Sequence, residues 1–244
     1  MVADVAKLSV GWEEYYIREL ATDHEAYLSG HGESPGRWYG AGASSLGLEG
    51  EASPAGFQAM FEGRDPTTGE LLGRPHGRNA VPAFDVVLRP TKSVSILYGL
   101  GDPATGRAVL QAHHAGLAEA VGYLDGHLGA RRGHGGVQHV SGQGLLAVAF
   151  DHRTSREGDP LLHTHLVIAN RVQGSDGRWT ALDGGTCTGI GWPPTPSTGP
   201  PTSASCPGRL EWSGVDASGP LWQPRAPRDT RGPGPRLLQA HRSD

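Results

Sequence analysis

Residues 145–170 read LLAVAFDHRTSREGDPLLHTHLVIAN, and this stretch decides the fold class. Residues 145–150 and 161–170 are apolar, β-branched runs, and the DHRTSREGDP segment between them is rich in turn formers. The stretch therefore predicts two strands joined as an antiparallel hairpin. A strand alternates its side chains between faces, so His163 and His165 project from one face on Cα atoms about 6.5–7 Å apart. A register that pairs residue 152 with residue 161 adds His152 to that face. Three neutral imidazoles there hold a divalent cation and leave coordination positions open, which makes the ion a Lewis acid for a phosphoryl or carbonyl oxygen. The plainer alternative is surface histidine without a metal. The remaining histidines (His24, His31, His76, His113, His114, His127, His134, His139 and His241) lack this spacing and read as structural or solvated.

Outward from the hairpin, residues 83–89 (AFDVVLR) alternate and are β-branched at their centre, a third strand that Pro90 ends. A helix is expected to start at residues 91–93. Across 108–128, Val109, Leu117, Val121, Leu124 and Leu128 recur at helical spacings as one core-facing stripe. Residues 8–29 carry a helical pattern around Trp12, Tyr15, Tyr16, Glu19 and Leu20, after which Gly36, Gly40 and Gly42 break the chain. Alternating strand-like and helix-like runs predict an α+β domain over residues 1–183. Asp85 stands between Phe84 and Val86, where an unpaired carboxylate is costly to bury. It reads either as the partner of a metal-bound histidine or of a nucleophile, or as an exposed strand residue. Tyr15, Tyr16 and Tyr27 crowd the first 30 positions. A phenol can attack a phosphodiester, but adjacent Tyr15 and Tyr16 also fit one ring in the core and one at the surface.

The chain has 244 residues, 36% of them hydrophobic, enough for a core. No run of about 18 apolar residues is present and the start lacks a signal-peptide pattern, so the expected address is cytoplasmic with no membrane segment. The two cysteines, Cys187 and Cys206, exclude a disulfide scaffold or a four-thiolate metal site as the basis of the fold. A net charge of −4, from 21 basic and 25 acidic residues, excludes a generally basic nucleic-acid coat. Residues 184–244 hold 11 of the 19 prolines and 10 of the 38 glycines with no apolar period, and are expected to be disordered.

Taken together, the Tyr15-Tyr16 pair, GRWYGAGASSLGL (36–48), FDVVLRPTKSVSILYGL (84–100) and DHRTSREGDPLLHTHLVIAN (151–170) resemble the relaxase domain of TrwC/TraI-type conjugative relaxases, the MobF class. The resemblance covers most of residues 8–183. It implies a five-stranded antiparallel sheet flanked by helices, of the HUH endonuclease type, that nicks single-stranded DNA at an origin of transfer. By that resemblance His152, His163 and His165 would be ligands of a divalent metal ion (Mg, Mn or Zn). Tyr15 would be the nucleophile that takes the 5′ phosphate and frees a 3′ hydroxyl, with Tyr16 as the fallback. Asp85 would orient a histidine or accept a proton. Tyr27 resembles the later tyrosine of a second transesterification, although the family's pair reads Ala26-Tyr27 here. Lys92, Arg153 and Arg156 lie where they could contact DNA phosphates. Trp38 reads as a base-stacking or, more plainly, a helix-packing residue.

The resemblance stops at Gly184, where the family continues with helices that close over DNA and then a fused helicase. A frameshifted or truncated gene without that helicase is the expectation; the partners the resemblance implies are single-stranded DNA at an origin of transfer and the family's accessory transfer proteins. Residues 1–183 carry 15 basic and 21 acidic residues, a net of −6, so weak and salt-sensitive action on single-stranded DNA is expected. The alternatives are an inactive relaxase remnant that at most binds single-stranded DNA, and an unrelated three-histidine enzyme with a small-molecule pocket.

Overall fold

Strands that are apolar on both pleat faces must lie inside a sheet, and the three such runs of this sequence become its inner strands. The computed structural model describes residues 2–20, 35–133, 138–155 and 157–183, all within one compact unit, Met1–Leu210. Strands β1 (Val2–Leu8), β2 (Arg37–Tyr39), β3 (Ala83–Arg89), β6 (Ala147–Thr154) and β7 (Pro160–Ala169) form a five-stranded antiparallel sheet in the order β1-β3-β7-β6-β2. Two small ribbons pair β4 (Gly129–Arg132) with β5 (Gln138–Ser141), and β8 (Val172–Gln173) with β9 (Trp179–Thr180). The helices are α1 (Glu13–Leu20), α2 (Ala41–Ser45), α3 (Pro54–Phe61), α4 (Lys92–Leu100) and α5 (Pro103–His127). The α+β class expected from the sequence, an antiparallel sheet flanked by helices, is the class observed.

The period of two along each strand divides the core into two layers. On one face Phe84, Val86, Leu88, Ala149, Leu166 and Ile168 meet Leu117, Val121 and Leu124 of α5. On the other, Val148, Phe150 and Val167 meet Tyr16 of α1 and Phe57, Met60 and Phe61 of α3. Helix α5 starts where Asp102 accepts hydrogen bonds from the amides of Ala104 and Thr105, with Pro103 in its first turn. Ser53 and Pro54 start α3 in the same way.

Two segments differ from the sequence expectation. The helix placed at 8–29 starts only at Glu13, because Val2–Leu8 is an edge strand paired with β3, Val5 opposite Val86. Its sequence VADVAKL sets polar Asp4 and Lys7 three places apart, so it lacks the period-two alternation that announces a strand. The glycine-rich break at 36–42 contains the other edge strand, β2, which pairs Arg37–Tyr39 with β6. Gly40 follows it at φ 96°, and a Cβ there would collide with the Leu145 carbonyl, so this close approach needs glycine. Trp38 accordingly packs from a strand, not a helix, against the α3 layer. Tyr27, Arg156 and residues 184–244 lie outside the described residues.

Candidate active site

The site begins with the pairing of β6 and β7, which sets His152 opposite His163 and Phe150 opposite His165. Residue 152 was expected opposite residue 161. The true partner is two places further on because the hairpin is centred one residue later than the turn-rich segment suggests. Strand β6 continues to Thr154, the Ser155 amide donates to the Asp159 carbonyl at 2.9 Å, and a register irregularity falls between His152 and Thr154. A displacement of two residues preserves the face, so all three histidines still share one.

Their ring centroids are 4.9, 4.9 and 5.2 Å apart, and one ligand nitrogen from each ring lies within 4.8 Å of the other two. His163 Nδ1 is 2.8 Å from the Leu161 carbonyl, and His165 Nδ1 is 2.8 Å from Asp85 Oδ2. Both partners are acceptors, so each Nδ1 carries the proton and each Nε2 keeps its lone pair. Burial pushes the His163 imidazole down to about 4, against the Leu161 hydrogen bond and reinforced by His152 and His165, so it is neutral at pH 7. Three converging imidazoles, two of them with Nδ1 held by an acceptor, fit a divalent cation such as zinc or manganese and leave coordination positions for a phosphate.

Beside this set, Asp85 is 7% exposed, and the Tyr16 hydroxyl donates to its Oδ2 at 3.0 Å. Neighbouring helix residues point about 100° apart, so Tyr16 and Tyr15 separate. Tyr16 is 1% exposed, its ring 5.0 Å from Phe150 and 5.9 Å from Phe57. Tyr15 is 45% exposed and lies edge-on to Tyr16 at 5.1 Å and to Trp12 at 6.3 Å. The Tyr16 oxygen is 3.4 Å from His165 Nδ1, the ring edge opposite the nitrogen that a metal would take. Of the expected phosphate contacts, Lys92 donates from Nζ to the Pro160 carbonyl at 2.9 Å, tying α4 to the start of β7. Arg153 is half-buried on β6.

Sequence reading missed the reverse face. Asp151 Oδ1 accepts from Thr164 Oγ1 at 2.5 Å, and His113 of α5 meets the same hydroxyl at 2.7 Å. Asp151 Oδ2 lies 2.7 Å from His114 Nε2 and 3.2 Å from an Arg37 nitrogen. The available signal was positional: His113 fills the eight-residue gap in the helical stripe between Val109 and Leu117. A cleft of about 420 Å³ lies elsewhere, lined by Trp38, Ser44, Glu49, Val121 and Asp125, and none of the three histidines lines it.

With this geometry in place, comparison with known proteins finds that the TrwC relaxase family model matches residues 10–189. The chain belongs to the TrwC relaxase family. The multifunctional conjugation protein TraI of Escherichia coli is 35% identical over 165 residues, covering 66% of this chain and 9% of that protein. TraI of strain K12 is 34% identical over the same coverage. The chain thus spans about a tenth of the length of the curated relatives it matches. Among solved structures, the conjugative relaxase TrwC bound to oriT DNA in a metal-bound form is 27% identical with a TM-score of 0.63, covering 77% of this chain and 65% of that one. TrwC complexed with a 27-mer DNA comprising the recognition hairpin and the cleavage site gives 27% and 0.60, over 76% of this chain and 63% of that one. This relaxase-family domain shares the fold of those DNA complexes. None of its described helices is long and apolar enough to cross a membrane.

Proposed function

We propose that this relaxase domain nicks single-stranded DNA at an origin of transfer by transesterification onto Tyr15. The observation that carries the reading is the convergence of His152, His163 and His165 beside Tyr16 of α1, whose neighbour Tyr15 is exposed. A divalent cation, Mg, Mn or Zn, held there would polarise the scissile phosphate. Asp85 holds His165 with its proton on Nδ1, so that Nε2 faces the cation. Tyr16 is bound to Asp85 on the far side of His165 and is shut in by Phe57 and Phe150; it positions Asp85 and does not meet substrate. Tyr15 is the phenol a DNA strand arriving from solvent can reach. Its oxygen attacks phosphorus, the P–O3′ bond breaks, and the 3′ oxygen takes a proton as a hydroxyl while the 5′ phosphate stays on Tyr15. Attack by a 3′ hydroxyl reverses the step and rejoins the strand. The family's use of the helicase and accessory transfer proteins, in the cytoplasm, would lie beyond this domain.

A 3′-labelled single-stranded oligonucleotide library incubated with Mn²⁺ tests the reading, because the label stays with the covalently held fragment. A protein–DNA adduct on denaturing gels is expected for the native chain and for Tyr16→Phe, and none for Tyr15→Phe or His163→Ala. Adduct surviving Tyr15→Phe but lost in Tyr16→Phe transfers the nucleophile to Tyr16. Metal-independent binding without any adduct supports the alternative of a non-catalytic DNA-binding remnant.

A further inference from the structure

The polar cluster behind the histidines stands where an apolar core would serve stability better. Asp151 and Thr164 are 3% and 0% exposed, on a sheet face otherwise built from residues such as Ala149 and Leu166. Replacing a buried charged network by apolar side chains is often neutral or stabilising, so folding alone does not account for it. Its place in the strands does. Asp151 and Thr164 are direct cross-strand partners, one residue before His152 and one residue after His163, which are themselves partners. Thr164 also separates the two histidines of β7, so the pleat at Thr164 sets the angle between their rings. Immediately beyond His152 the register shifts before Thr154 meets Pro160, so the regular ladder that flanks the pair lies on the Asp151–Thr164 side.

We infer that Asp151, Thr164 and His113 form a clamp that positions the metal-binding histidines from the reverse face of the sheet. The Thr164 hydroxyl donates to Asp151 across the strands and accepts from His113 Nε2, which anchors the pair to α5. His114 and Arg37 hold the second oxygen of Asp151, which brings β2 into the same tie. The ligands on the front thus inherit a fixed spacing from bonds on the back. These three are positioning residues, and the inference rests on the proposed metal site.

Titration of the metal-free protein with Co²⁺, followed by its visible absorption and by calorimetry, tests the clamp without any DNA reaction. Thr164→Val, which keeps the shape and removes the hydroxyl, is expected to weaken Co²⁺ binding by about 10- to 100-fold and alter the absorption bands. Thr164→Ser is expected to restore both. Should Thr164→Val fail to fold, Asp151→Asn, which keeps an acceptor for Thr164, is expected to lose affinity by several-fold. Unchanged affinity and spectrum in a folded Thr164→Val or Asp151→Asn protein overturns the clamp. Equal Co²⁺ binding by the native chain and His163→Ala would instead overturn the metal site itself.

Discussion

Two imidazoles, His113 of α5 and His163 of β7, are pushed down to about 4, in each case first by burial. In the unfolded chain a histidine titrates near 6.5, so the unfolded state takes up protons first as pH falls. Their contribution to stability is therefore complete above about pH 6.5 and is lost progressively towards pH 4. For His113 the loss is on the order of 3 kcal/mol; the more open His163 contributes less. Asp151 acts in a lower window: burial raises its carboxyl, but His114, Thr164 and Arg37 outweigh this and hold it at about 2. Its stabilisation is present above about pH 4 and disappears as pH drops towards 2. Thermal unfolding of the metal-free protein should show a melting temperature that falls steadily between pH 6.5 and 4; a flat profile there contradicts the burial of His113. The histidine triad was legible from spacing because face parity survives an error of two residues. That one of Tyr15 and Tyr16 packs in the core and the other faces solvent was legible too; which of them is buried was not, since it depends on which side of α1 meets Phe57 and Phe150.

At the level of elements, the long stripe on α5 and the inner strands β3, β6 and β7 were readable because their apolar periods are sustained. The edge strands were not, because β2 has only three residues and β1 lacks a period of two, and DHRT looked like turn although pairing with β7 keeps it extended. Leu117, fully buried between α5 and the sheet, tests the stripe: Leu117→Ala is expected to cost about 2–5 kcal/mol in urea unfolding. Gly40→Ala tests the junction of β2 with β6. A methyl group must displace the Leu145 backbone and adopt a positive φ, so a lowered melting temperature is expected; an unchanged one means that the junction yields freely.

For the whole molecule, an acidic balance of 15 basic to 21 acidic residues over positions 1–183 confines DNA attraction to local cations. Were Lys92, Arg153 and Arg156 all to meet phosphates, the logarithm of single-strand affinity should fall with the logarithm of salt at a slope of about −2. A slope near zero removes these contacts; a much steeper one calls for cations elsewhere.

The histidines ride on β7 and β6, which are bonded to neighbours on both sides, whereas the tyrosines stand on α1, outside the sheet and next in sequence to the edge strand β1. Hydrogen exchange should then release deuterium from β1 and α1 well before β7. An opening confined to that border would move Tyr15 and Tyr16 while His152, His163 and His165 keep their spacing.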